Sequence, residues 1–218
     1  MISVSRQKMF FQAFTMMLTA LLFCGCGAQQ LTVKGEYPGP LVQSLPVTIG
    51  LVLTPEFLAH QYHYQPQSFR ETELIMDTGI SQSLMLNTVT ASMFEQVITL
   101  RELPTAGNMA PVDVLLIPRI EKFEHAIPRY TKVNVFEIWI RYRFQLITKK
   151  GELIADWYMS AYGKTPSQFM DSAEDSLNLA AVIAFRDAGA NFSLNFARIP
   201  EVKQWLAQQR TLQTETKP

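Results

Sequence analysis

Between Phe136 and Leu146 the chain alternates without interruption. Phe136, Ile138, Ile140, Tyr142, Phe144 and Leu146 fall on one face of an extended strand, and Glu137, Trp139, Arg141, Arg143 and Gln145 fall on the other. The first face belongs to a core and the second to water. Lys149-Lys150-Gly151 then reads as a hairpin turn, and Leu153, Ala155, Trp157, Met159 and Ala161 carry the alternation into a returning strand. Upstream, Val47, Ile49, Leu51 and Leu53 predict a strand that Pro55 ends. Val112 to Phe123 predicts another, with Pro118 suggesting an edge or a bulge. Gln61 to Gln65 and Phe69 to Met76 are further extended candidates, followed by the turn Asp77-Thr78-Gly79.

Two stretches switch to a helical period. From Ser81 to Leu100 the apolar positions Leu86, Val89, Met93 and Val97 recur at steps of three and four, with Ser81 available as an N-cap. Pro104, Gly107, Asn108 and Pro111 mark a loop after it. Ser172 is placed to cap a long helix with the stripe Leu177, Ala181, Ala184, Ala188, Phe192 and Phe196, whose small residues permit close approach to a sheet. Pro200 at a first helical position starts a short helix through Val202, Trp205 and Leu206, and Gln208 to Pro218 reads as a frayed tail. The order implies an α+β fold, an antiparallel sheet of about four to five strands with two main helices packed on one face.

The N-terminus departs from this globular pattern. Arg6 and Lys8 precede an apolar run, Met9 to Phe23, that ends in Cys24-Gly25-Cys26. At the helical rise such a run spans roughly 22 Å, short of the roughly 30 Å of a bilayer's hydrocarbon core. A removable signal peptide over 1–25 fits better than a permanent span. The stretch Leu22-Phe23-Cys24-Gly25-Cys26 resembles the bacterial lipobox, in which a lipid-modified cysteine follows a small residue and an apolar one. The resemblance implies acylation, palmitate included, at Cys26. Because Gly27 rather than aspartate follows, it also implies sorting to the outer membrane, facing the periplasm. Cleavage before Cys26 would leave a mature chain with neither thiol nor disulfide, so its stability must come from its core. Residues 26–45, rich in Gly, Pro and Gln, read as a lipid-anchored tether, 46–207 as the globular domain and 208–218 as the polar tail.

Composition narrows the functions further. The chain has 218 residues, 48% of them hydrophobic, with 19 basic and 19 acidic residues. It is long enough to bury a sizeable core, and its balanced charge provides no long-range field toward a polyanion, so nucleic acid is not an expected partner.

The motifs that might carry chemistry are incomplete. Asp77-Thr78-Gly79 resembles the aspartic-protease signature, whose chemistry needs two carboxylates sharing a proton. The chain holds one copy, so a hydrolase would need a dimer. His60 and His63 are three apart, a spacing that puts them on opposite faces of an extended tract, and His125 is distant in sequence; no metal or cofactor is expected. Gly163-Lys164-Thr165 mimics the end of a phosphate-binding loop, but Tyr158 stands where that loop requires glycine.

Trp139, Arg141 and Arg143, with Tyr158 and Tyr162 on the neighbouring strand, combine the residue types enriched at binding hot spots. They form the candidate interaction surface. The element order from Val47 to Leu206 resembles the small envelope lipoproteins of the LpoB and CsgG N-terminal type. The stretches Asp113 to Ile120 and Pro200-Glu201-Val202 resemble proteobacterial lipoproteins. These resemblances imply a non-catalytic accessory or adaptor, anchored in the membrane, with a protein partner in an envelope complex for secretion, transport or cell-wall synthesis. A carrier that holds lipid in a cavity beneath the long helix is the alternative, and a dimeric hydrolase using Asp77 is a third reading.

Overall fold

A computed structural model describes residues 28–68, 71–105, 111–128, 133–167 and 172–215. Cys24, Cys26 and Gly27, on which the anchor expectation falls, lie outside the described residues, as do 106–110 of the expected loop. The strands are β1 (Gln29–Thr32), β2 (Leu45–Val52), β3 (Gln61–Tyr64), β4 (Leu74–Asp77), β5 (Phe94–Leu100), β6 (Val114–Ala126), β7 (Val135–Thr148) and β8 (Leu153–Pro166). The helices are α1 (Pro55–Leu58), α2 (Gly79–Met93), α3 (Ala173–Asn195) and α4 (Pro200–Glu215), with a 3-10 turn at Phe196–Arg198. The class is α+β, as the element order implied. β1, β4 and β3 pair in that order, and the large sheet runs β5-β2-β6-β7-β8.

The chain divides into two compact units. Among the described residues, one takes in 28–29, 63–68 and 71–75. Within it the Gln29 amide donates to the Glu73 carbonyl at 2.8 Å, and the Tyr64 hydroxyl donates to the Glu71 carboxylate. The other, Gln30–Tyr62 with Met76–Pro218, holds the large sheet and the long helices.

The antiparallel meander expected from the alternation is β6-β7-β8, with Phe144 opposite both Pro118 and Trp157. Thr148 and Glu152 close the second hairpin, and Gly151 takes φ +87°, the left-handed turn position that favours glycine. β2 is added in parallel to both β5 and β6, so the sheet is mixed. The parallel β2-β5 pair exists because the stretch expected as one helix over 81–100 is two elements. The helix stops at Met93, and Phe94 is already extended, at φ −121° and ψ 150°. Val97, Ile98 and Thr99 are consecutive β-branched residues, stiff at χ1 and suited to a pleated sheet, and they override the three-four spacing. Ser81 is not the cap; α2 begins two residues earlier, after Thr78.

Pro118 lies on neither edge, since β6 is flanked by β2 and β7. The β2 side of the ladder covers only Val114 to Leu116, so the amide that proline lacks is not missed on that side. The irregularity expected there occurs instead between Ile120 and Lys122. At the C-terminus, the tail expected to fray continues as helix to Glu215, since residues from Ala207 onward include no Gly or Pro until Pro218.

The inward face of the meander is the core. Ile138, Tyr142, Phe144 and Leu146 are fully buried, and the whole expected stripe of α3 is buried against them. Phe144, Trp157, Phe192 and Phe196 pack on one another, with neighbouring ring centroids 5.0 to 6.5 Å apart. Ser172 caps α3 as expected, its hydroxyl accepting from the Asp175 amide at 3.0 Å. The alanines of the stripe let the helix settle so low that an added Cβ on Gly163 would stand 2.1 Å from the Ala180 carbonyl oxygen. Gly163 is therefore a packing contact, and Lys164 beside it is exposed to solvent.

Two residues on, Thr165 is buried, and its hydroxyl has no hydrogen-bond partner among the described residues. A buried, unsatisfied hydroxyl carries a desolvation penalty that an apolar group of the same shape avoids. Thr165→Val is expected to raise stability by about 1 kcal/mol, read from thermal or urea unfolding.

Part of the stretch expected as a tether is folded. Leu31, Val33 and Tyr37 are buried. The Asn178 side-chain amide clamps Lys34 by accepting from its N–H at 2.9 Å and donating to its C=O at 3.1 Å. The Arg186 guanidinium donates to the Glu36 carbonyl at 3.0 and 3.1 Å, and the Tyr37 and Ser81 hydroxyls meet at 2.5 Å. Residues 33–37 thus form a strap tied to α2 and α3. The Gly-Pro composition suggested a flexible linker, but Gly35 is required by packing, since a Cβ there would meet Val182 at 2.5 Å.

Candidate functional site

The register irregularity in β6 shapes the water-facing side of the sheet. Before it, Leu115, Ile117 and Arg119 oppose Ile147, Gln145 and Arg143 on that side; after it, Lys122 and Glu124 oppose Arg141 and Trp139. The two halves differ in chemistry. Val52, Val112, Leu115 and Ile117 form a small apolar cluster with Ile98, Leu100 and Ile147. Beyond it opens a groove of about 490 Å³ whose walls include Lys122, Glu124, Trp139, Arg141 and Ser160.

The five residues of the candidate interaction surface are brought together across β7 and β8. Trp139 opposes Tyr162, Arg141 opposes Ser160 and Arg143 opposes Tyr158. The Trp139 and Tyr162 rings lie 5.3 Å apart at 36°. The Arg141 guanidinium carbon sits 4.6 Å over the Tyr158 ring and that of Arg143 5.8 Å from the same ring. Arg143 donates to both oxygens of Asp156, the shortest contact being 2.6 Å. That hydrogen bond holds the Asp156 carboxyl below, and the Arg143 guanidinium above, its ordinary range; Gln145 adds a second donor to Asp156. Both side chains keep contact with solvent, so the pair fixes geometry more than it stabilises the fold. The Tyr162 hydroxyl donates to Glu137 at 2.5 Å; burial first, and then that carboxylate, push its pKa up to about 12.

β8 is an edge of the sheet, and α3 covers part of it. Asp187 accepts from the Tyr162 amide at 3.0 Å, and Asn191 donates to the Ser160 carbonyl at 3.4 Å. The groove therefore sits beside a protected edge, which favours docking of side chains onto the face over addition of a strand at this point.

A second polar constellation lies inside the core. The Tyr142 hydroxyl, fully buried, donates to Gln82 Oε1 at 2.5 Å; Gln82 Nε2 donates to Thr78 Oγ1 at 2.8 Å; and Thr78 Oγ1 meets His60 Nδ1 at 2.6 Å. Thr78 Oγ1 also donates toward the His60 carbonyl at 3.4 Å, so the threonine ties both the ring and the backbone of His60 to the core. Burial lowers the His60 pKa, with Glu56 opposing. It also raises that of Tyr142 well above its ordinary value. Sequence reading missed Gln82, although it stands four residues before Leu86, on the apolar stripe of α2, where a polar residue signals a buried partner.

The His60 shift sets a direction in pH. With its folded pKa below the unfolded 6.5, the unfolded chain takes the proton first. The contribution of neutral His60 is complete above 6.5 and is lost as pH falls through the folded pKa. The melting temperature is expected to drop on acidification below 6.5, and His60→Gln should flatten that dependence relative to the parent chain.

The remaining candidates have structural partners. Asp77 accepts from Gln61 Nε2 at 2.5 Å and from Thr32 Oγ1 at 3.2 Å. Gly79 is where the start of α2 passes against the Leu58 carbonyl, 2.3 Å from the position of an added Cβ. Asp77-Thr78-Gly79 is thus the joint between β4 and α2. His125, remote from His60 in sequence, comes near it: Tyr62 bonds His125 Nδ1 at 2.9 Å and stacks on Phe123, which lies 6.1 Å from the His60 ring. Among the described residues no three His, Cys, Asp or Glu side chains converge on a point that could hold a metal ion. No helix among them is long and apolar enough to cross a membrane.

A further groove, about 350 Å³ and mainly apolar, runs between residues 37–42 and the helices α2 and α3. Its walls include Tyr37, Leu41, Met85, Val89 and Leu194.

No family model matches the chain, and no curated relative matches it. Solved structures do. A Xanthomonas campestris protein of the DUF330 family superposes with a TM-score of 0.51 at 10% identity, over 85% of this chain and 99% of that one, and shows the same fold. A hypothetical protein of Chlamydia trachomatis gives 0.40 at 10% identity, over 71% and 95%. A minor lipoprotein of Acinetobacter baumannii gives 0.37 at 9% identity, over 72% and 94%.

Proposed function

We propose that this chain is a lipid-anchored envelope lipoprotein that works by binding, an accessory or adaptor that presents the groove of β6, β7 and β8 to a protein partner. Its anchor is Cys26 in the lipobox-like leader, its place the periplasmic side of the outer membrane, and its kinship of the LpoB and CsgG N-terminal kind. The observation that carries the binding role is the outer face itself. Trp139 and Tyr158 are 37% and 52% exposed, yet both are held in place by cross-strand stacking rather than left loose. Rigid aromatics beside arginine on a sheet are pre-organised for association, because little rotamer freedom remains to be lost on docking. The engagement of Asp77 by Gln61 and Thr32 supports a role for it in joining elements rather than in hydrolysis.

The experiment is site-specific photocrosslinking in intact cells from position 160, in the groove, and from position 203, on α4. A partner captured from 160 and not from 203 is the expected result. Equal capture, or none from 160, contradicts the assignment of the face.

A lipid-carrying role is favoured by one observation, the apolar groove under residues 37–42. Phospholipid found by mass spectrometry on the purified full chain, and lost on Val89→Glu, would support that reading over the first.

A further inference from the structure

The water-facing groove also restricts what a partner can bring to it, and this inference rests on its reading as a docking surface. The aromatic rings of the groove already carry neighbours of their own. Tyr158 lies under Arg141 at 4.6 Å, and Trp139 and Tyr162 pack on each other at 5.3 Å. The carboxylates nearest in register are engaged as well: Glu124 pairs with Lys122 at 2.7 Å, Asp156 with Arg143 at 2.6 Å, and Glu137 accepts from Tyr162 at 2.5 Å. Arg141 is different. It lies between Lys122 on β6 and Ser160 on β8, lines the groove and is exposed, and among the described residues no carboxylate pairs with it. The Arg141 guanidinium carbon sits over the Tyr158 ring, 4.6 Å from its centroid, and the donors all lie at the edge of the guanidinium plane. A flat fork of N–H donors, packed against a ring and carrying no carboxylate among the described residues, matches the two oxygens of a carboxylate.

We infer that Arg141 is the anchor of a site for an acidic peptide segment of the partner protein, with an Asp or Glu carboxylate of that segment received bidentately by Arg141. Arg143 is not the anchor, because Asp156 already fills its fork. Acidic-motif recognition by arginine has this chemistry, and its attraction is screened by salt.

The test uses the full chain in detergent micelles and a fluorescein-labelled hexaglutamate peptide, read by fluorescence anisotropy at low ionic strength, with hexalysine as the opposite-charge probe. Saturable binding of hexaglutamate alone is expected. Arg141→Gln should weaken it tenfold or more, Arg141→Lys nearly as much because it keeps the charge and loses the fork, and Lys203→Gln on α4 should leave it unchanged. Circular dichroism of each variant, matching the parent, ties the loss to the site. Absence of saturable binding overturns the proposal, as do equal losses from Arg141→Gln and Lys203→Gln, or full retention by Arg141→Lys. Loss of binding to phosphatidylglycerol vesicles on Arg141→Gln, with the peptide unaffected, overturns it in favour of a lipid surface. A chain that crosslinks from position 160 and ignores the peptide refutes the carboxylate and leaves the docking face standing.

Discussion

Gly163→Ala is expected to lower the stability of the fold by about 3 kcal/mol, with a fall in melting temperature of roughly 10 °C. The reason is the way α3 lies on β8. A Cβ at position 163 would stand 2.1 Å from the Ala180 carbonyl oxygen and 2.4 Å from the Ala184 amide nitrogen. Both are backbone atoms in the middle of a helix, so no side chain can swing aside to make room. The helix must lift, and as it lifts it loses the contact of Ala181, Ala184 and Ala188, each of them buried. Overpacking against flexible side chains is usually milder, and a loss well under 1 kcal/mol in a urea titration would mean that α3 is less closely seated than described.

Tyr142→Phe is the second large effect, expected at about 2 kcal/mol. The substitution removes one oxygen and leaves the volume of the ring. What it leaves behind is Gln82 Oε1, wholly buried and without the hydroxyl that donated to it. The penalty comes from that abandoned acceptor rather than from the absent hydrogen bond itself. A second substitution makes the reasoning specific: adding Gln82→Leu to Tyr142→Phe should recover part of the loss, since an apolar pair no longer strands a polar atom in the core. If the double variant were less stable than the single by the full cost of Gln82→Leu alone, the two groups would not be coupled.

The parts of the fold legible in the sequence are those where one period runs long enough to dominate. β7 and β8 follow strict alternation over more than ten residues, the α3 stripe has a cap and small residues, and the turn at Gly151 carries its own signature. The boundary at Met93 was not legible, because Val97 satisfies a helical spacing from Met93 while also opening a β-branched strand. The strap at 33–37 was hidden for a different reason. Its Gly and Pro residues look like a linker, and only the third dimension shows Gly35 set against Val182.

The site divides in the same way. Trp139, Arg141, Arg143, Tyr158 and Tyr162 could be placed on one face from alternation alone, since each strand shows which of its faces is apolar; the register shift between Leu146 and Ile147 then sets Trp139 opposite Tyr162. Lys122 and Glu124 could not. Counted from Leu116, which lies on the core face, both fall on the core side by parity; the irregularity between Ile120 and Lys122 turns them outward to complete the groove. The Tyr142–Gln82–Thr78–His60 chain joins residues up to 82 positions apart by numbering, and its single visible trace was one glutamine on an apolar stripe.

The account stands or falls on the anchor. The direct measurement is metabolic labelling with tritiated palmitate of the full chain and its Cys26→Ser and Cys24→Ser variants, with the label and the protein followed through membrane fractionation. The parent chain and Cys24→Ser should carry label and sediment with membranes, while Cys26→Ser should carry none and be retained with its leader uncleaved. Label on Cys26→Ser, or none on the parent chain, would contradict the account.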